Sequence, residues 1–263
     1  MNNFISTVKV EILKIISSKS WWIVFGLVII LQPLMAMVSA KEIVRMGLDA
    51  SPATHPDLAQ ALPPLDYLGF YDIVPFGLLP LVVLGGFIGA SEYRNHRLRT
   101  TLLCCSNRTA VFTAKVIATS ISSIFISFVA IYLTIITTHA SLGDLGLNPL
   151  TLSPITWKFI AYASLEWVLL TLLAFAIGIL SRNVIIPLVF LVPQIYGLAP
   201  YLASRWAWAE YLPVTAGKFL TSTPTDTLTH APIKGGLILG IWITFMLIGA
   251  MYSFIHKDVG GTY

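Results

Sequence analysis

Residues 159–180 read FIAYASLEWVLLTLLAFAIGIL, an apolar run with a single formal charge, that of Glu166. As an α-helix rising about 1.5 Å per residue, such a run is long enough to cross the roughly 30 Å hydrocarbon core of a bilayer. Five further runs of similar length carry no formal charge: 21–40, 73–90, 116–138, 184–203 and 235–255. The sequence therefore predicts an all-α membrane protein with six transmembrane helices.

Composition supports this class and excludes others. Hydrophobic residues make up 56% of the chain and charged residues 11%, whereas soluble domains carry about 25% charged residues. The net charge of +4 is small, and no basic stripe suited to nucleic acid is present. We predict one transmembrane domain over residues 1–263 that binds no nucleic acid.

The basic residues predict the orientation. One side of the predicted membrane carries ten of them: Lys9, Lys14, Lys19, Arg94, Arg97, Arg99, Arg108, Lys115, Arg182 and Lys257. The other side carries six: Lys41, Arg45, Lys158, Arg205, Lys218 and Lys234. Because cytoplasmic loops are enriched in Lys and Arg, we expect a multi-pass protein of the cell membrane with both termini in the cytoplasm.

Residues 1–20 precede the first span and have a different pattern. Phe4, Val8, Ile12 and either Ile15 or Ile16 recur at helical spacing among basic and polar residues. This pattern is typical of an interfacial helix that lies on an anionic membrane surface, although a cytosolic cap would have a similar sequence.

Glycine and proline mark the second and fifth predicted spans. Gly85 and Gly89 form a small-xxx-small pair, which predicts close packing against another helix. In the fifth span, Pro193 and Gly197 lie between two further prolines and predict a kinked or broken helix. Irregular backbone at membrane depth needs protein or a water-filled cavity around it. We therefore predict that Pro193, Gln194 and Gly197 border a substrate pathway or a subunit interface.

Glu166 is the one acidic residue inside a predicted span. An ionised carboxylate costs about 2.5–3.5 kcal/mol at the centre of a membrane helix on insertion scales. Glu166 should therefore be protonated, paired or beside water. It is either a substrate or proton contact on the pathway or a structural hydrogen-bonding group between helices.

Catalytic motifs are missing from the sequence. The five histidines are scattered, no metal-ligand spacing occurs, and no GxxxxGKS/T phosphate loop is found. That loop is the part of P-loop ATPases that holds the nucleotide phosphates. We therefore expect no catalytic residue, no metal and no cofactor in this chain, so that any ATP-driven step occurs on another polypeptide.

The predicted cytosolic loop 91–115 carries a recognisable pattern. It contains EYRNHRLRTTLL at 92–103, then Asn107-Arg108, and Lys115 at the start of the third span. This loop resembles that of the permease subunits of ABC-2 type transporters. The shared pattern is an acidic end to the second helix, a basic amphipathic segment and a lysine opening the third helix. The chain departs from the usual pattern with His96-Arg97 in place of Gly-Thr and Cys105 in place of proline.

The resemblance implies a type V exporter-like architecture whose loop 91–115 contains a coupling helix seated on an ATPase. It assigns ATPase coupling to Glu92, Arg94, Arg97, Leu98, Arg99, Leu102 and Arg108. It also implies two cytosolic ATP-binding subunits carrying ATP and Mg²⁺, and a second copy or sibling permease. The first and fifth spans would face that permease. Export of an amphipathic peptide, drug or lipid-like substrate follows by analogy with the family.

Two other classes stay open on the sequence alone. One is a proton-coupled secondary transporter that uses Glu166. The other is a membrane-embedded enzyme or a non-transporting immunity or anchoring protein.

Overall fold

A computed structural model describes residues 2–58, 60–69, 76–93, 101, 107–148, 150–226 and 232–256. Within these ranges the regular secondary structure is helical, without a β-strand. The α-helices are α1 (Asn2–Ile16), α2 (Lys19–Met46), α3 (Leu78–Ser91), α4 (Arg108–Leu142), α5 (Pro154–Ser181), α6 (Ile185–Pro193), α7 (Ala199–Arg205), α8 (Pro213–Leu220) and α9 (Pro232–His256).

Five helical stretches are long and apolar enough to cross a membrane: Lys19–Met46, Arg108–Leu145, Pro154–Ser181, Ile185–Arg205 and Pro232–His256. They contain α2, α4, α5, α6 with α7, and α9. Helix α3, which corresponds to the second predicted span, has only 14 residues, or about 21 Å of helix. The all-α membrane class is confirmed for the described residues, and the sixth crossing stays a prediction.

Side-chain caps decide where three of these helices begin. Ser18 accepts a hydrogen bond from the Trp21 amide before α2, and Asn107 accepts one from the Ala110 amide before α4. Ser153 caps α5 in the same way, with Pro154 at the first helical position. Such caps satisfy amides that have no partner inside the helix. Because α4 begins at Arg108, the end of the predicted loop 91–115 is helical.

The core of the bundle lies around α5, where Trp167 and Phe175 are fully buried. Helix α3 packs directly on it. A side chain at Gly85 would collide with the Thr171 carbonyl, and one at Gly89 would collide with the Phe175 carbonyl. The predicted close packing of this glycine pair is therefore confirmed, and the partner is the fourth span.

Helices α5 and α6 form a tight hairpin. Arg182 adopts a left-handed conformation with φ of 53°, and the Asn183 side chain accepts a 2.8 Å hydrogen bond from the Ile185 amide. Further along, α6 passes into a π-helical segment, Gln194–Leu198, in which Tyr196 and Gly197 have non-helical dihedral angles. The predicted irregularity of the fifth span is confirmed.

Candidate functional site

A buried cluster of three charges joins α1, α3 and α4. The ammonium group of Lys115, in α4, lies 2.6 Å from a carboxylate oxygen of Glu11 and 2.6 Å from one of Glu92. The three side chains are only 3%, 3% and 8% exposed. Glu11 belongs to α1, and Glu92 directly follows α3. We call Glu11, Glu92 and Lys115 the ion triad, and the end of the bundle that holds it the α1 end.

The electrostatics of the triad favour the charged form of Glu11. Burial by itself would raise the pKa of Glu11, but the Lys115 and Lys14 ammonium groups outweigh burial and hold that pKa below its usual value. Lys14 lies 2.8 Å from the second carboxylate oxygen of Glu11 and also donates a 3.1 Å hydrogen bond to Thr101. Since a buried ion pair is costly to break, the triad fastens α1 to the ends of α3 and α4.

Two further contacts tie the α1 end together. The Arg182 guanidinium lies 4.7 Å from the centre of the Tyr93 ring, and burial raises the pKa of the Tyr93 hydroxyl. Arg108 donates a 2.8 Å hydrogen bond to the carbonyl of Ile255, near the end of α9. Both flanks of the predicted coupling segment are thus attached to other helices.

The structure describes part of the predicted coupling set. Glu92 and Arg108 lie at the two flanks of the segment, while Arg94, Arg97, Leu98, Arg99 and Leu102 lie outside the described residues. Sequence reasoning overlooked Glu11. A signal was available, because Glu11 is the only acidic residue in 1–20 and shares a helical face with Val8 and Ile15.

A second polar arrangement lies at the start of α3. The fully buried Gln32 of α2 accepts a 2.8 Å hydrogen bond from the Gly77 amide through its Oε1 atom. Its Nε2 atom has no hydrogen-bond partner among the described residues. A side chain at Gly77 would lie 2.6 Å from the Trp167 ring of α5. Gln32 therefore caps a helix that starts deep among its neighbours.

The depth of this helix start follows from helix lengths. Gln32 lies midway along α2, and Trp167 lies midway along α5. Each helix has 28 residues, or about 42 Å at 1.5 Å per residue. Gly77 touches both midpoints, so α3 begins near the middle of the bundle. In hydrocarbon an unsatisfied amide costs several kcal/mol, which explains why a buried glutamine side chain caps it.

The broken fifth span reaches the same region. The Tyr196 ring lies 6.2 Å from the ring of Phe76, which precedes Gly77. Gln194 is buried and donates to the Phe190 carbonyl, while its Oε1 atom has no partner among the described residues. Pro193 and Gly197 are exposed, and Gly197 has φ of +113° with open space beside it. We call Gln32, Gly77, Gln194 and Tyr196 the mid-depth break.

Glu166 lies elsewhere. It is buried in α5 and accepts a 3.0 Å hydrogen bond from the Thr221 hydroxyl, just after α8. A side chain added at Gly217 of α8 would lie 3.1 Å from its carboxylate. These contacts attach α8 to α5 and involve neither Pro193, Gln194 nor Gly197. Among the described residues no group of three His, Cys, Asp or Glu side chains is placed to hold a metal ion.

Together these features define a multi-pass α-helical membrane protein with an ion-paired end, a short helix that starts near the middle of the bundle and a broken fifth span. Residues 7–199 match the family model described as ABC-2 family transporter protein. The chain therefore belongs to the ABC-2 transporter family, whose members are membrane subunits that work with ATP-binding subunits. The matched region contains the ion triad and the mid-depth break. A comparison with curated proteins finds no match.

Proposed function

We propose that this chain is the permease subunit of an ATP-driven exporter. It assembles with two cytosolic ATP-binding subunits, which hold ATP and Mg²⁺, and with a second copy or a sibling permease. The α1 end faces the cytoplasm, which agrees with the excess of Lys and Arg in that part of the sequence. The family match and the ion triad support this proposal.

The ion triad is the observation that supports the coupling step of this proposal. Closure of the ATP-binding subunits would push on the segment between Glu92, a member of the triad, and Arg108, which begins the helix that carries Lys115. Lys115 binds both Glu92 and Glu11, and separating these charges in a buried setting is costly. The push would therefore move α1, α3 and the start of α4 together rather than bend one helix alone.

The mid-depth break supplies the substrate path in this proposal. Helix ends and unpaired amide groups at membrane depth are the features by which many transporters bind polar parts of a substrate. Here they lie beside apolar and aromatic side chains such as Phe76 and Tyr196. This mixture suits an amphipathic peptide, drug or lipid-like molecule, with Pro193 and Gly197 on the exposed side of the path.

The contacts of Glu166 favour a structural role over a proton-coupling role. Its carboxylate is tied to Thr221 and covered by α8, an arrangement that fastens one helix to another. A proton-coupled transporter built on Glu166 would lose its pH dependence in the Glu166→Gln variant. In an ATP-driven permease, the same variant should leave the pH dependence of transport unchanged.

The test of the proposed function is purification of the tagged chain from its native membranes under mild conditions. We expect a chain with a phosphate loop to co-purify, and we expect vesicles containing both chains to transport only when ATP and Mg²⁺ are supplied. Transport by vesicles that contain this chain alone would refute the proposal.

A further inference from the structure

The chain from Tyr201, in α7, to Tyr211, just before α8, carries an exposed aromatic surface. Four aromatic side chains there are more than half exposed, namely Tyr201 at 57%, Trp206 at 51%, Trp208 at 58% and Tyr211 at 56%. Arg205 lies among them, 5.9 Å from the centre of the Tyr201 ring. We call these five residues the aromatic patch.

The aromatic patch is held in a defined shape. The Trp206 and Trp208 rings are nearly parallel, with centroids 6.1 Å apart, while Ala209 between them and Tyr211 is fully buried. The Trp242 indole of α9 donates a 2.8 Å hydrogen bond to the Tyr211 carbonyl. The segment is therefore anchored to the bundle by its backbone and by Ala209, while its rings point away from the bundle.

The patch lies at one end of the fifth span. The fifth span, Ile185–Arg205, has 21 residues, which at about 1.5 Å per residue cover at most roughly 30 Å, because the stretch is broken at Tyr196 and Gly197; the hydrocarbon core is about 30 Å thick. Arg205 ends this stretch, so Trp206 and Trp208 directly follow the last helical turn of the candidate span. Trp and Tyr favour the headgroup layer because their rings are apolar and their N–H or O–H groups need a polar partner.

We propose that the aromatic patch binds the headgroup layer of the lipid leaflet opposite the α1 end. The two indoles lie at the level of the glycerol and ester groups, and Arg205 reaches the lipid phosphate. Charge supports this partner. The Arg205 side chain is exposed, and the nearby carboxylate of Glu210 lies 3.3 Å from the Lys234 ammonium. The proposed contact with lipid does not depend on the proposed transport function.

The test uses the full chain in phosphatidylcholine vesicles whose acyl chains carry bromine, a quencher of tryptophan fluorescence. The fluorescence of the Trp206→Phe, Trp208→Phe double variant is subtracted from that of the unchanged chain, which isolates these two indoles. We expect bromine near the headgroup to quench this difference signal more strongly than bromine near the methyl end. Iodide in the surrounding water should quench it weakly.

Trp167→Phe is the matched control, because its indole is fully buried and its difference signal should respond to neither quencher. Strong iodide quenching of the patch signal without lipid quenching would overturn the proposal, since the patch would then face water. A signal that neither quencher reaches would also overturn it and would indicate coverage by protein. Arg205→Glu should reduce quenching by shallow bromine, and unchanged quenching would refute the phosphate contact.

Discussion

Lys115 and Glu11 are 104 positions apart in the sequence, yet their charged groups lie 2.6 Å apart in the buried α1 end. Lys115 also binds Glu92, so one ammonium group pairs with carboxylates from two other elements. The arrangement leaves an excess of negative charge that Lys14 offsets from the more exposed side. It makes α1 part of the bundle rather than a loose attachment.

Replacing Lys115 should destabilise the protein strongly. Lys115→Met leaves two buried carboxylates without their shared partner, and breaking such a pair costs about 3–5 kcal/mol. Thermal unfolding in lipid nanodiscs measures the loss. Lys14→Met is the matched control, because Lys14 is 43% exposed and such pairs are worth about 1 kcal/mol or less. Equal stability of the two variants would contradict a buried triad.

Glu11 should contribute a pH-dependent share of stability. Its pKa is lower in the folded protein than usual, so the unfolded chain binds more protons as the solution becomes acidic. The stabilisation is therefore present above the ordinary carboxyl pKa and is lost as pH falls through the folded pKa. Glu11→Gln should flatten the acid limb of a plot of unfolding temperature against pH. Glu42→Gln, which alters an exposed pair with Arg45, should leave that limb unchanged.

The hydrogen bond between Gln32 and Gly77 should contribute more to the free energy of unfolding than an exposed hydrogen bond does. Gln32→Leu keeps much of the side-chain volume but leaves the buried Gly77 amide unsatisfied, at a cost of about 1–3 kcal/mol. Gln32→Glu retains an acceptor oxygen and should restore part of the loss when protonated at low pH. Thermal unfolding of both variants at two pH values tests this, and a Gln32→Leu protein as stable as the unchanged chain would rule out the cap.

Glycine packing between α3 and α5 gives a steric prediction. Gly85→Ala places a methyl group against the Thr171 carbonyl, and backbone cannot move aside as a flexible side chain can. We expect lower yield of folded protein and a lower unfolding temperature. Gly240→Ala is the control, because nothing lies within 4 Å of that position and alanine favours helix by about 1 kcal/mol over glycine. A harmless Gly85→Ala would contradict the contact.

Charge reversal in the predicted coupling helix tests the proposed function. Arg97→Glu combined with Arg99→Glu should uncouple ATP hydrolysis from transport while membrane insertion stays intact, because the family resemblance implies that both residues contact the ATP-binding subunit. ATP hydrolysis and transport are measured together in reconstituted vesicles. Normal coupling in this variant would remove the docking assignment.

Sequence reasoning found the helical membrane class, the close approach at Gly85 and Gly89, and the irregular fifth span. These features depend on local sequence. The length of an apolar run, a glycine without a side chain and a proline without an amide donor each affect the structure at their own position in the chain. The resemblance to ABC-2 permeases also singled out Glu92 and Lys115. Sequence reasoning did not pair them with Glu11, and it gave no role to Gln32, because both contacts join residues distant in sequence.

The amino-acid sequence by itself determined that this chain is a membrane protein, since runs of about 20 apolar residues are stable as helices in a bilayer. It also determined where the backbone breaks in the fifth span, because proline and glycine disrupt the helical turn in which they lie. Only the tertiary structure decided that Lys115 is shared by Glu11 and Glu92, that Gln32 caps α3 at mid-depth, and that Glu166 fastens α8. Those outcomes depend on which helix faces meet, and a buried polar group takes whichever partner that packing brings within hydrogen-bond distance.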